Sequence, residues 1–169
     1  MLTPFQGNFF LLTSVRQNVK FHCYNYHLNN ARKYFFSESV AFSATMSATE
    51  QNLLINEVVQ FDVLHTNLGN HFDPVSHGFI CPLTGIYEFK LNVHSKRYMS
   101  AKLNIDVAGA MVGELFVADA HFDGAGSTSV VYLCSADSVV KVIAYQEDNN
   151  ILGFEKSVFT GKLLETDEG

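Results

Sequence analysis

Residues Val59 to Phe89, VQFDVLHTNLGNHFDPVSHGFICPLTGIYEF, are the stretch of this sequence that decides the fold. At its start, Val59, Phe61 and Val63 alternate with polar residues, and a period of two is typical of a strand with one buried face. The next part, from Asn67 to Pro74, is rich in the residues that favour turns. A second short apolar run follows at Phe79 and Cys81, so the stretch predicts strands separated by turns.

The clearest strand of the chain comes directly afterwards. From Tyr87 to His94, apolar side chains alternate strictly with polar ones, which predicts one face in the core and one towards solvent. Further alternation occurs from Ala101 to Val107, turn signals recur roughly every 8–12 residues, and no segment sustains a helical period. This pattern predicts an all-β sandwich but does not choose between an immunoglobulin-like arrangement and a jelly roll.

Many unlike residue types at fixed spacings make the chain resemble the globular-head domain of the complement C1q family, within the C1q/tumour-necrosis-factor superfamily. The likeness covers about residues 40 to 165. Its motifs are Ala41-Phe42-Ser43-Ala44; then Phe61, Leu64, Thr66, Asn67, Gly69, Phe72, Asp73 and Pro74; then Phe79, Cys81, Pro82, Gly85, Tyr87 and Phe89; and the closing Phe159-Thr160-Gly161. Leu64 is a mild departure, since the family pattern has valine there.

This resemblance implies an all-β, C1q/TNF-like jelly-roll β-sandwich of about ten antiparallel strands that assembles as a compact homotrimer. It assigns residues 39–165 to the C1q-like domain and 166–169 to a tail. Residues 1–38 do not resemble the family. We interpret them either as an N-terminal arm or as an artefactual start, because a collagen stalk needs glycine at every third position and this segment has only Gly7.

The charge distribution excludes one class of partner. Residues 1–40 carry four basic residues and one acidic residue, whereas residues 41–169 carry seven basic and sixteen acidic residues. We expect no nucleic-acid binding by this acidic domain, because phosphate recognition needs a basic surface. We expect no membrane insertion either, since no apolar run approaches the roughly 20 residues that span a bilayer.

The expected location is extracellular, and this expectation comes from the resemblance alone. Phe9 to Leu12 is the longest early apolar run, too short for the central segment of about 7–15 residues in a signal peptide. The three cysteines, Cys23, Cys81 and Cys134, exclude a fully paired intrachain framework. We expect Cys81 to be a buried thiol and Cys134 to be more exposed, and a disulfide between protomers through Cys23 or Cys134 remains open.

No constellation of residues predicts an enzyme, so no catalytic residue is assigned. His71, Asp73 and His77 share a turn, where Asp73 is expected to accept hydrogen bonds from its own backbone rather than to bind a metal. The loops Asp119–Asp123 and Glu147–Asn150 are richer in the hard oxygen atoms that calcium prefers. Asp119 and Asp123 are therefore weak calcium candidates, although the acidic run that often precedes the closing strand in the family is here reduced to Glu155.

The candidate ligand-binding loops are the turn Lys96-Arg97-Tyr98 and the loops Asp119–Asp123 and Glu147–Asn150. Their candidate contact residues are Arg97, Tyr98, Asp119, His121, Asp123, Glu147 and Asp148. Arg97 can contact a carboxylate such as that of sialic acid through two hydrogen bonds, and Tyr98 can stack on a sugar ring. The resemblance implies a secreted, lectin-like pattern-recognition protein of innate immunity that binds glycans or microbial surfaces. The alternatives are a receptor-binding, cytokine-like ligand and a structural trimerising protein.

Overall fold

A computed structural model describes residues 39–154 and 156–167 of the chain, and in this part every regular element is a β-strand. The strands are β1 (Ala41–Thr45), β2 (Glu50–Leu53), β3 (Val63–Leu68), β4 (Phe72–Asp73), β5 (Gly78–Ile80), β6 (Gly85–Ser95), β7 (Ser100–Val107), β8 (Ala110–Ala118), β9 (Gly124–Cys134), β10 (Val139–Ala144), β11 (Asn149–Leu152) and β12 (Val158–Thr166). The described residues contain no helix that could cross a membrane.

Two sheets form the sandwich. The first has the order β3-β1-β12-β6-β9, and the second has the order β2-β11-β7-β10-β5-β4 with β8 on the other edge of β7. The chain crosses repeatedly between the sheets, and all strand pairs are antiparallel except a single contact between Asn149 and Ser100. The predicted all-β jelly roll is therefore confirmed.

Twelve strands are present in the described residues, rather than the expected number of about ten. Part of the difference comes from two segments without a strand-like alternation, one of which overlaps the predicted loop Glu147–Asn150. Glu50–Leu53 forms β2, and Asn149–Leu152 forms β11, which pairs with it from Asn149↔Leu53 to Leu152↔Glu50. Polar residues form strands here because Asn149 and Asn150 are buried and their amide groups bond the backbone of neighbouring segments.

The core lies between the sheets and is built largely from phenylalanine. The Phe42 ring packs 4.8 Å from both Phe72 and Phe79 and 5.0 Å from Phe159, measured between ring centroids. The neighbouring strand β6 buries each alternate residue, as the sequence pattern predicts. Aromatic pairs in such arrangements contribute about 0.5–1.5 kcal/mol each beyond their buried area.

The segment around Val59 differs from its prediction. Val59 and Phe61 are buried as expected, but Val63 is exposed and the residues from Val59 to Asp62 are not in a strand. The Val59 amide donates to the Val142 carbonyl in the second sheet, whereas the Asp62 amide donates to the Thr45 carbonyl in the first. The chain crosses between sheets here, so the alternation does not continue into β3.

The cysteines correct a second expectation. Cys81 is buried as predicted, but Cys134 is also buried, with only 1% of its surface exposed. The prediction of an exposed Cys134 is wrong because the last residue of β9 turns inwards against the opposite sheet. A disulfide between protomers through Cys134 is therefore not accessible in this fold, and Cys23, like the rest of residues 1–38, lies outside the described residues.

Candidate functional site

The candidate loops lie at one end of the sandwich, and the strand register places them there. Ser95 at the end of β6 pairs with Gly124 at the start of β9, and Ser100 at the start of β7 pairs with Ala118 at the end of β8. Ser100 also pairs with Asn149 at the start of β11. The segments 96–99, 119–123 and 145–148 therefore meet at this end, which we call the loop end.

Two backbone contacts join the first two of these loops. The Tyr98 amide donates to the Asp119 carbonyl at 2.9 Å, and the Arg97 amide donates to the Asp123 carboxylate at 3.2 Å. The structure therefore brings together four of the seven predicted site residues, Arg97, Tyr98, Asp119 and Asp123. A shallow cleft of about 410 Å³ opens beside them and is lined by Tyr98, Met99, Ser100, Ala118, Asp119 and Ala120.

The side chains of Arg97 and Tyr98 form one exposed unit. The guanidinium carbon of Arg97 lies 5.6 Å from the centre of the Tyr98 ring, within the range of a cation–π contact. Tyr98 is 70% exposed and has a φ angle of 64°, a left-handed conformation that is uncommon for a bulky residue. The backbone thus holds a large aromatic side chain in solvent, which favours a contact role for it over a packing role.

The Asp119 loop is fixed by its own turn. The Asp119 carboxylate accepts hydrogen bonds from the amides of His121 at 2.7 Å and Phe122 at 3.0 Å. These amides, led by that of His121, stabilise the charged form and lower the pKa of Asp119 below its ordinary value. The His121 and Asp123 side chains are left exposed at the loop surface.

Glu147 and Asp148 lie in the third loop of the loop end, and both are exposed. The hydrogen bond that attaches their loop to the rest of the loop end is made by their neighbour. The preceding residue, Gln146, donates from its side-chain amide to the Ser100 hydroxyl at 2.9 Å. Asp148 adopts a left-handed φ of 59°, which turns the chain into β11. These two carboxylates therefore belong to the third loop of the loop end, which the Gln146–Ser100 bond ties to the start of β7.

The buried Asn150 is a positioning residue that the sequence analysis does not identify. The Asn150 side-chain oxygen accepts a hydrogen bond from the Lys96 amide at 3.0 Å, next to Arg97. The Asn150 side-chain nitrogen donates to the Glu50 carboxylate and to Asn52. The Asn150 amide, with Lys96 nearby, lowers the pKa of Glu50. A buried polar side chain that satisfies three partners rigidifies the loop it bonds.

Phe122 is a second residue that the sequence analysis misses. Its side chain is 74% exposed within the Asp119–Asp123 loop. The sequence analysis selects this loop for its carboxylates and therefore does not consider Phe122. An aromatic residue in an otherwise polar loop is the sequence signal that could have identified it, because apolar side chains in such loops often make contacts with ligands.

The described residues do not form a ready-made calcium site. The Asp119 carboxylate faces two amides of its own loop, and the Asp123 carboxylate bonds the Arg97 amide and lies 4.0 Å from the Lys156 ammonium group. Calcium needs about 6–8 oxygen ligands, and no group of three or more candidate ligand side chains converges within residues 39–154 and 156–167. Calcium binding at Asp119 and Asp123 therefore stays a prediction of the sequence, and Glu155 lies outside the described residues.

The turn at Asp73 behaves as its structural interpretation predicts. The Asp73 carboxylate accepts hydrogen bonds from the amides of Val75 at 2.9 Å and Ser76 at 3.2 Å. This closes the turn between β4 and β5, far along the chain from the loop end. The Asp73 carboxylate is therefore held by the backbone of its own turn.

Comparison with known proteins identifies the family. The sequence model of the C1q domain matches residues 41–164 of the chain. The chain is 26% identical over 133 residues to a complement C1q subcomponent of Homo sapiens, a match that covers 78% of this chain and 52% of that protein. It is also 26% identical over 141 residues to heavy metal-binding protein HIP of Mytilus edulis, covering 81% of this chain and 66% of that protein.

The match thus spans less than two thirds of the length of either relative. Among solved structures, the globular domain of zebrafish complement 1qA protein superposes with a TM-score of 0.59 at 18% identity, covering 77% of this chain and all of that one. That similarity supports the jelly-roll architecture, and the family assignment rests on the sequence match over residues 41–164. This chain belongs to the C1q domain family.

Proposed function

We propose that this protein is a secreted homotrimeric recognition module that binds glycans or microbial surface groups through its loop end. The observation that carries the proposal is the exposed Arg97–Tyr98 unit, which the Asp119 and Asp123 loop holds beside a shallow cleft. A shallow, solvent-exposed cleft bordered by an aromatic ring and a carboxylate suits a sugar better than a buried apolar ligand.

Each side chain offers a distinct contact. The Arg97 guanidinium can bind a carboxylate, such as that of sialic acid, through two parallel hydrogen bonds. The Tyr98 ring, 70% exposed, is available to stack on a sugar face. Asp123, Glu147 and Asp148 can accept hydrogen bonds from sugar hydroxyl groups. Asp119 acts by holding the shape of the loop.

Self-association would multiply these weak contacts. On the outer face of the first sheet, Ile86 pairs with Leu133 and Glu88 pairs with Val131. The exposed apolar side chains of Ile86, Val131 and Leu133 therefore lie close together beside Glu88, and we call these three residues the β6–β9 patch. Burial of such an area against other copies would leave three loop ends on one particle. Avidity then raises the affinity for a repeated surface by about 10²–10⁴ over a single site.

The proposal is tested by probing the full chain on glycan and microbial-surface arrays, with and without calcium. Arg97→Ala and Tyr98→Ala are expected to lose binding to the positive spots, since each removes one half of the exposed unit. Lys141→Ala is the matched control, because it also removes one positive charge but lies on β10 opposite Asp106, far from the loop end. Absence of binding by the wild-type protein, or equal loss in all three variants, contradicts the proposal.

The alternative functions make different predictions on the same arrays. A receptor-binding, cytokine-like ligand would show no binding to the glycan spots and would bind one protein partner. A structural trimerising protein would self-associate without either ligand. Heavy-metal binding is named for the mussel relative only, and the described residues hold no cluster of three metal-ligating side chains that would favour it here.

A further inference from the structure

Two thiols from different sheets meet in the core at the end opposite the loop end. Cys134 is the last residue of β9 in the first sheet, and Cys81 follows β5 of the second sheet. Cys81 has no exposed surface and Cys134 has 1%. Both side chains belong to the same cluster of buried core residues, although they lie far apart in sequence.

The backbone holds the two residues in this position. The Cys81 amide donates to the Ser138 carbonyl at 2.9 Å, and the Asp137 amide donates to the Cys81 carbonyl at 2.8 Å. These two bonds fasten Cys81 to the turn that directly follows Cys134. Cys134 is itself paired with Gly85 at the start of β6, so both cysteines are fixed by the register of the sheets.

We infer that Cys81 and Cys134 form an intrachain disulfide that links the two sheets, leaving Cys23 as the odd cysteine. A disulfide needs two side chains that approach each other, and here the hydrogen bonds of Cys81 to Asp137 and Ser138 hold it beside the turn that follows Cys134. The inference is independent of the ligand at the loop end, since the pair lies at the other end of β6 and β9.

The reaction is a thiol–disulfide exchange with a small disulfide such as oxidised glutathione. The Cys134 thiolate attacks one sulfur of that disulfide, breaks its S–S bond and releases one small thiolate, which takes up the proton that Cys134 gave up. The Cys81 thiolate then attacks the mixed disulfide, forms the Cys81–Cys134 bond and releases the second small thiolate, which takes up the Cys81 proton. The protein loses two electrons and two protons, and the small disulfide is reduced to two thiols.

Burial decides when this exchange can occur. The neighbouring Cys134 thiol and the burial of Cys81 both raise the pKa of Cys81. A buried thiol that keeps its proton reacts slowly, so the bond forms during folding, before the sheets close. Once formed, the bond is expected to resist reduction in the folded protein and to become accessible only on unfolding.

The deciding experiment uses the full chain folded in a buffer of reduced and oxidised glutathione. Free thiols are alkylated in denaturant without a reductant, and the protein is digested with trypsin. Cys81 and Cys134 fall in the separate tryptic peptides 34–90 and 103–141. We expect these two peptides to be joined in the wild-type protein, with Cys23 as the single alkylated cysteine, and to separate after reduction.

Variants and stability provide the controls. Cys23→Ser should keep the linked peptides and show no alkylated cysteine, whereas Cys134→Ser should lose the link and leave Cys81 alkylated. Reduction should lower the unfolding temperature of Cys23→Ser by on the order of 10 °C, because the bond closes a long loop of the unfolded chain. Three alkylated cysteines in oxidised wild-type protein, or a link that involves Cys23, would overturn the inference. Both results are measured on the wild-type protein, so they do not require any variant to fold.

Discussion

Gly161 on β12 lies against the aromatic rings of the core, and Gly161→Ala tests the packing of those rings. A Cβ atom built at Gly161 would lie 2.3 Å from Cε1 of Phe42 and 2.7 Å from Cδ1 of Phe89. Carbon atoms in contact are normally about 3.5–4.0 Å apart. The Phe42 ring would therefore have to move by more than about 1 Å.

The rings have no free space into which they can move. Phe42 and Phe89 are buried, and Phe42 already packs against three further rings, the nearest with centroids 4.8 Å away. Overpacking of this kind costs about 1–3 kcal/mol, and the two rigid rings place this site at the upper end of the range. We expect Gly161→Ala to lower the free energy of unfolding by about 2–3 kcal/mol.

Gly113→Ala is the matched control, since it makes the same change on β8. A Cβ atom there meets only the Ile105 and Val130 side chains, at 3.3 Å or more, and the expected change is within about 1 kcal/mol of the wild type. The assay is urea unfolding followed by circular dichroism at a fixed protomer concentration, where Gly161→Ala should lower the midpoint by about 1 M or more. Equal midpoints for both alanine variants would refute the packing argument.

Three further predictions concern the loop end and the outer surface. Asn150→Ala should lower the free energy of unfolding by about 1–3 kcal/mol and weaken array binding, because it leaves the Lys96 amide without its partner; unchanged binding would remove Asn150 from the site. Because the amide bonds lower the pKa of Asp119 below 3.8, its stabilisation is present at neutral pH and lost as the pH falls through that lowered value. The advantage of the wild type over Asp119→Ala in thermal unfolding should therefore shrink between about pH 5 and pH 2, and a constant difference would contradict this. Val131→Asp on the β6–β9 patch should produce monomers in size exclusion, whereas Val75→Asp, at a site 84% exposed in a turn, should not.

Local patterns were enough to predict the parts of the fold in which neighbouring residues decide the structure. Strand β6 follows from its own alternation, and the turn at Asp73 follows from the ability of a carboxylate to bond amides two and three residues later. Strands β2 and β11 could not be predicted in this way. Asn150 looks like a loop residue in sequence, and its burial makes sense only when Lys96 and Glu50 are brought to it.

The candidate site shows the same limit. Its residues were chosen one by one for their chemistry, but the contact of the Arg97 loop with Asp123 depends on the register of β6 with β9. The placement of Cys81 beside the turn after Cys134 depends on the pairing of β5 with β10. Residues so far apart in sequence are joined only by sheet pairing, which no short motif encodes.

The solution mass of the full chain, measured by light scattering after size exclusion in the presence of a reductant, tests multivalent recognition most directly. We expect a particle of three times the chain mass of 18.9 kDa that persists on dilution, because the β6–β9 patch rather than a disulfide holds the copies together. A stable monomer of 18.9 kDa would contradict the avidity mechanism on which the proposed function depends.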